Sequence, residues 1–227
     1  MEPVPGTTEL LRSLRESGAG DVEGALRELA GRVADVVPSC VGVSLSVAHG
    51  GLTFTLASTS DDTAGLDAVQ YLAGGPCVET ALEDVEIELG DLLDEERWQR
   101  FAVAAAASGV RSTLSLPLSV PGMGPGSVNV YAADEHAFVG TRDALREIVG
   151  EGVDVAVTNA DLPFRTRTAA AAGPQNLRAL DVVEQAVGYL MASEQLDADR
   201  ARARLTEAAE RAGTDLVTVA RTLVGGG

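Results

Sequence analysis

Apolar and polar positions divide the chain into a front part whose period keeps changing and a rear part that is helical throughout. Residues 21–37, DVEGALRELAGRVADVV, place Val22, Leu26, Leu29, Val33 and Val36 three to four apart, which predicts an amphipathic helix closed by Pro38. From Cys40 the period drops to two. CVGVSLSVA and LTFTLAS both alternate apolar with small polar residues, and the HGG between them offers Gly50 and Gly51 for the positive φ of a tight turn. Short helical segments follow around Tyr71 and Val78, then a candidate strand in VEIELGDL and a helix over DEERWQRFAVAAAAS, with acids at its start. GVRSTLSLPLSV and SVNVYAA, joined by PGMGPG, predict a second hairpin. From Thr141, Leu145, Ile148, Val149, Gly152, Val153 and Ala156 share one face of a long closing helix. Helix, hairpin, mixed connection, hairpin, helix is the order of an α+β domain, a sheet with flanking helices, over residues 20–160.

The stretch RTRTAAAAGPQN has Gly, Pro, an alanine run and no period, so a linker is placed at 161–176. Residues 177–224 predict three short helices. Leu177, Leu180, Val183, Val187 and Leu190 stripe the first. Asp197 caps a second carrying Ala201, Leu205, Ala208 and Ala212, which Gly213 ends, and Thr214 caps a third with Leu216, Val219, Ala220 and Leu223. So small a bundle buries little apolar area by itself, which predicts that docking or dimerisation supports it.

Composition sharpens this picture. All 17 basic residues are arginine, which removes every lysine-dependent motif, the phosphate-binding P-loop and Schiff-base chemistry included. The net charge of −17 is uneven: residues 1–160 carry −16, residues 161–174 carry +1 and residues 175–227 carry −2. The front would repel a polyanion and the rear is close to neutral. No apolar run is long enough to span a membrane and the N-terminus lacks the basic-then-apolar pattern of a signal peptide, so a cytoplasmic location is expected. Cys40 and Cys77 have no metal spacing and are expected to be free thiols.

Two resemblances follow from these elements. Residues 20–160 resemble a GAF sensory domain of the actinobacterial kind, through YLAGGPCVETA (Tyr71, Gly75, Pro76, Cys77), Asp91 in GDL, Arg97 and Trp98, GVRSTLSLPL and GSVNVYA. Residues 177–224 are similar to an ANTAR domain, a three-helix output module that in its family binds paired RNA hairpins and prevents transcription termination. The matching positions are Ala186, Gly188, Leu190 and Met191, then Ala201, Leu205 and Ala209, then Leu216, Val219 and Ala220. These are mainly packing residues. The chain departs from the family at Val187, where a lysine is usual, and at Thr206, where an arginine is usual. The resemblance implies a signal-responsive antitermination regulator, with an unidentified small ligand or signal at the front, structured RNA at the rear, a homodimer, and no cofactor.

On a helical wheel Val187 lies within the apolar stripe, and Tyr189 points to the opposite face, where its ring stacks on an unpaired base, packs across a dimer, or is simply exposed. Arg200, Arg204 and Arg211 share one side of the second helix, with Glu207 among them and Arg202 elsewhere. Such a row either contacts successive phosphates and bases or forms a solvated, ion-paired surface. A DNA-binding helix-turn-helix competes, but its third helix would offer chiefly Thr218, Arg221 and Thr222 to base edges. A bundle without RNA affinity, acting as a dimerisation or protein-interaction module, is the other alternative. In the front domain Cys77 and Arg111 are candidates for the sensor pocket: GGPC would set the thiol at a helix start, where the dipole lowers its pKa, unless Cys77 is a small buried apolar residue, and Arg111 either lies at a pocket mouth or pairs with local acids. PGMGPG precedes a strand and is a hairpin connection rather than a nucleotide loop. His49 and His136 lack metal-ligand neighbours, and no residue pattern suggests an enzyme. The apolar stripes flanking the linker suggest that the closing helix and the first rear helix form a dimer stalk.

Overall fold

A computed structural model describes residues 22–120, 124–158 and 176–225. The linker expected at 161–176 lies, up to residue 175, outside the described residues. So do the side chains of Gly152, Val153, Ala156, Leu177 and Leu180.

The first helix, α1 (Val22–Val36), leads into β1 (Cys40–His49) and β2 (Leu52–Ser58), with Gly50 and Gly51 at φ of 61° and 80°. Only residues that tolerate the left-handed region fit both turn positions, which is why HGG closes the hairpin. Then come α2 (Asp61–Ala73), α3 (Pro76–Glu83), the short strand β3 (Ile87–Leu89), a 3₁₀ turn and α4 (Gln99–Ala107). The acids of DEER precede α4 rather than opening it: Glu95 instead accepts hydrogen bonds from the backbone N–H of Arg97 and Trp98. The second hairpin is β4 (Ser112–Val120) and β5 (Gly124–Ala132), so Gly124, Pro125 and Gly126 of PGMGPG already belong to a strand. α5 (Arg142–Thr158) closes the domain.

The five strands pair antiparallel in the order β2-β1-β5-β4-β3, the α+β architecture that the periods predict. One face of the sheet is covered by α1 and α5, where Leu29 and Val33 meet Val43, Leu116, Val128, Leu145 and Val149. The stripe that suggested a dimer stalk is therefore buried within the chain from Leu145 to Val149.

The rear forms the expected all-α bundle of α6 (Asn176–Glu194), α7 (Ala198–Ala212) and α8 (Leu216–Val224). Asp197 caps α7, accepting from the N–H of Arg200 at 2.8 Å, and Gly213 ends it in the left-handed conformation. α8 corrects the prediction by one residue. Asp215, not Thr214, caps it, because a carboxylate there reaches the N–H of both Val217 and Thr218, whereas the Thr214 hydroxyl is buried without a partner.

The bundle does not stand apart. Its apolar residues Val187, Leu190, Leu205, Ala208 and Leu223 join one continuous core with Leu66, Val69, Leu72 and Phe101 of α2 and α4. α2 lies between the sheet and the bundle, and every residue from Thr63 to Leu72 is buried. A helix covered on all sides needs partners on all sides, and here the bundle supplies one of them. Leu205→Ala should therefore cost about 2–5 kcal/mol of whole-chain stability, because it opens a cavity in a core that both parts share. Urea unfolding followed by far-ultraviolet circular dichroism should show one transition shifted as a unit; two separate transitions, with only one moved, would contradict a shared core.

Candidate functional site

The alternation in the sheet strands has a consequence at the second face. Ser44 and Ser46 of β1, Thr53 and Thr55 of β2, Ser115 of β4, and Ser127, Asn129 and Tyr131 of β5 all point to that face, and all are buried. Register puts Ser44, Asn129 and Ser115 side by side across three strands. α2 lays Asp67, Gln70 and Tyr71 onto this polar surface, since positions three and four apart share a helical face.

The result is a buried hydrogen-bond network centred on Asp67. Its carboxylate accepts from Ser44 Oγ at 3.0 Å, Thr55 Oγ1 at 2.9 Å and Tyr131 Oη. Asn129 donates to Ser44 at 3.0 Å and to Ser46 at 3.3 Å, Gln70 donates to Tyr131 Oη at 2.9 Å, and the hydroxyls of Thr55 and Tyr71 lie 2.6 Å apart. Gln70 also accepts from the backbone N–H of Cys77 at 2.9 Å. Burial raises the Asp67 carboxyl to about 6, although hydrogen bonds from Tyr131, Ser44 and Thr55 pull it back. Asn129 Oδ1 and the hydroxyls of Ser115 and Thr80 are buried with no hydrogen-bond partner. Such orphaned groups cost stability unless a ligand or water satisfies them.

The two candidates for a sensor pocket separate. Cys77 stands at the start of α3, as GGPC predicts, and its carbonyl accepts from Ser127 at the edge of the network. Its thiol is not activated: burial, and after it the Asp67 charge, push it well above its ordinary value. Arg111 is a partly exposed arginine held by Glu135 and by Asp91 at 3.6 Å. Cys40 and Cys77 are both free thiols.

The arginine row of α7 also divides. Arg200 is exposed and pairs only loosely with Asp197, at 3.5 Å, and Arg202 pairs with Glu184. Arg204 donates to the Leu72 carbonyl of the front domain at 2.9 Å and pairs with Glu194 of α6. Glu194 also holds Arg100 of α4, at 3.0 Å. Arg211 is buried. Its Nε donates to the Thr53 carbonyl at 2.9 Å, and its guanidinium lies 4.5 Å from the ring centroid of Tyr71 and 5.8 Å from that of Phe54. Burial holds its pKa below the ordinary arginine value.

The matching packing positions Ala186, Leu190, Ala201, Leu205, Ala209, Val219 and Ala220 are buried, and Val187 is core at 3% exposure. Met191 and Gly188 instead face outward. Tyr189 is 40% exposed, beside Arg100 on the rim of a cleft of about 610 Å³ between α4, α6 and α8. On α8, the Thr218 hydroxyl bonds to Asp215 and that of Thr222 to the Thr218 carbonyl, so neither is turned to a base edge.

Asp67, Gln70 and the serines of the network are absent from the residues that sequence motifs single out. Their signal is an aspartate and a glutamine three residues apart inside the largely apolar AGLDAVQYLA, opposite strands with small polar residues at alternate positions.

Residues 174–224 match the family model described as the ANTAR domain, so the chain carries an ANTAR domain at its rear. No curated protein matches the chain. Among solved structures the chain is similar to a type II free methionine-R-sulfoxide reductase from Thermoplasma acidophilum, at 14% identity and a TM-score of 0.45, over 60% of this chain and 92% of that one. It is likewise similar to the GAF domain region of a Geobacter sulfurreducens PCA protein, at 12% identity and a TM-score of 0.40, over 60% and 96%. SdiA of Escherichia coli aligns over 96% of this chain and 94% of its own, at 12% identity and a TM-score of 0.44. Among the described residues no helix is long and apolar enough to cross a membrane, and no cluster of metal-ligating side chains occurs.

Because the Asp67 carboxyl binds its proton more tightly in the folded chain than in the unfolded one, protonation favours folding. This contribution is fully present below about 3.8 and lost as pH rises through about 6. It amounts to about 2–3 kcal/mol. The stability difference between wild type and Asp67→Asn, measured by urea unfolding at pH 4 and pH 7.5, should change by that amount in favour of the variant at the higher pH. Parallel pH profiles would show that the carboxyl is not perturbed.

Proposed function

We propose that the protein is a signal-responsive, non-enzymatic regulator in which the front α+β domain is a GAF-like sensor and the ANTAR domain binds RNA hairpins to act in transcription antitermination. The observation that carries this is the ANTAR match at 174–224, joined in one chain to a domain with a buried, incompletely satisfied polar network. A small ligand reaching that network meets acceptors, the Asp67 carboxylate and Asn129 Oδ1, which suits a molecule bearing hydroxyl or ammonium groups. The RNA contacts are assigned to Arg200 and Tyr189, which are exposed, with Arg204 and Arg211 joining them only where the front domain does not hold them. The regulator acts as a homodimer in the cytoplasm, so that two bundles meet two hairpins.

One observation favours the protein-interaction alternative. Two of the three arginines in the row already serve contacts within the protein, and the family's lysine is replaced by the core residue Val187. The two readings differ in salt dependence. RNA reading predicts binding to a double-hairpin RNA that weakens steeply with salt, and Arg200→Ala should lower affinity and reduce the salt slope by about one. A filter-binding titration at two salt concentrations checks this; binding that is absent, or indifferent to both salt and Arg200→Ala, favours the interaction module.

A further inference from the structure

The contacts of α7 and α8 with the front domain engage part of the surface that an RNA-reading bundle would present, two of the three arginines of its row. Arg211 and Arg204 donate to carbonyls of β2 and α2; the buried Arg211 has its donors turned from any phosphate, and the partly exposed Arg204 has two of its donors committed to Leu72 and Glu194. Gly65 of α2 makes the approach close. A side-chain carbon built there would lie 2.6 Å from Thr222 Oγ1 and 3.3 Å from Thr218 Cγ2 of α8. With Thr222 in place, a side chain at 65 meets its hydroxyl, so either that hydroxyl turns away or, for a bulky residue, the two elements are wedged apart.

We infer that this docked arrangement is the silent state of the ANTAR domain, latched by Arg204, Arg211 and the Gly65–Thr222 seam, and that full RNA contact, in which Arg204 and Arg211 join the exposed Arg200 and Tyr189, requires the bundle to leave the front domain. The inference rests on the RNA-binding reading above. Electrostatics act in the same direction, since docking sets Arg204 and Arg211 against the front part of the chain, which carries −16 over residues 1–160 and repels a polyanion. The latch also reaches the buried network. Tyr71, under the Arg211 guanidinium, lies 2.6 Å through its hydroxyl from Thr55, which donates to Asp67. A ligand that displaces Tyr71 removes the seat of Arg211, so occupancy of the network and release of the bundle are two ends of one equilibrium.

The seam supplies its own test. A side-chain carbon at 65 would lie 3.5 Å from Thr222 Cβ, within the range a disulfide spans. In the full chain, Gly65→Cys with Thr222→Cys should cross-link on oxidation, as mapped by mass spectrometry. The oxidised form should bind a double-hairpin RNA at least about tenfold more weakly than the same protein after reduction, because apparent affinity scales with the fraction of open state. Gly65→Leu, which wedges the seam without altering a charged residue, should bind several-fold more tightly than wild type and show faster hydrogen exchange across α7 and α8. Equal RNA binding by oxidised and reduced protein would overturn the silent state while leaving RNA binding intact. Failure of the pair to cross-link would overturn the docked arrangement itself. If the cross-link forms and Gly65→Leu exchanges faster, yet no form binds RNA, the RNA-binding reading fails and the inference falls with it.

Discussion

The structure depends on the double burial of α2. One side of this helix must cover the polar face of the sheet and the other must be covered in turn, which leaves no residue between Thr63 and Leu72 free to meet water. The side toward the sheet carries Asp67, Gln70 and Tyr71 into a network with serines, threonines and an asparagine, of which Asn129 Oδ1 and the Ser115 hydroxyl are left without a partner. The side toward the bundle carries Gly65, Leu66, Val69 and Leu72. Apolar burial on that side is what makes a three-helix unit of this size viable, since alone it would enclose too little core. The front domain and the bundle thus share one helix as a common packing partner.

That arrangement redirects the basic residues. Arginine is a versatile donor, and the same guanidinium that would fit a phosphate also fits a backbone carbonyl over an aromatic ring. Arg211 takes the second option because Tyr71 and Phe54 present their rings beside the Thr53 carbonyl, and burial there disfavours its charge while the hydrogen bond and ring contacts compensate. Arg200, one turn before Arg204 on the same helix, has only Asp197 nearby and remains in solvent. The row is thus graded along α7, from exposed at its start to buried at its end.

Much of the fold was legible without coordinates. Periods of two and of three to four located the helices and hairpins of the front domain, the glycine pair set the first turn, and Asp197 and Gly213 bounded α7, because each of these is a local preference that tertiary packing did not oppose. Val187 was legible as core from its place on the wheel. The acids of DEER were misplaced for a local reason as well: Glu95 satisfies the same backbone donors from just outside the helix. Thr214 differs from Asp215 as a cap only because the longer-reaching carboxylate satisfies two donors, a contest between neighbours that residue type alone left undecided.

What the sequence by itself determined was the set of elements, their order, the division into an α+β front and a helical rear, and the residues that pack each rear helix, since periodicity and capping are properties of short stretches. What only the tertiary structure decided was which faces meet. The small polar residues of the strands could have faced water, and instead α2 covers them. The arginines could have formed a free basic edge, and two of them are instead held against the front domain. Both outcomes depend on contacts between residues far apart in the chain, Asp67 with Ser44 and Tyr131, and Arg211 with Thr53 and Tyr71. No period or motif encodes such contacts, because their energy arises only once both partners have lost water together.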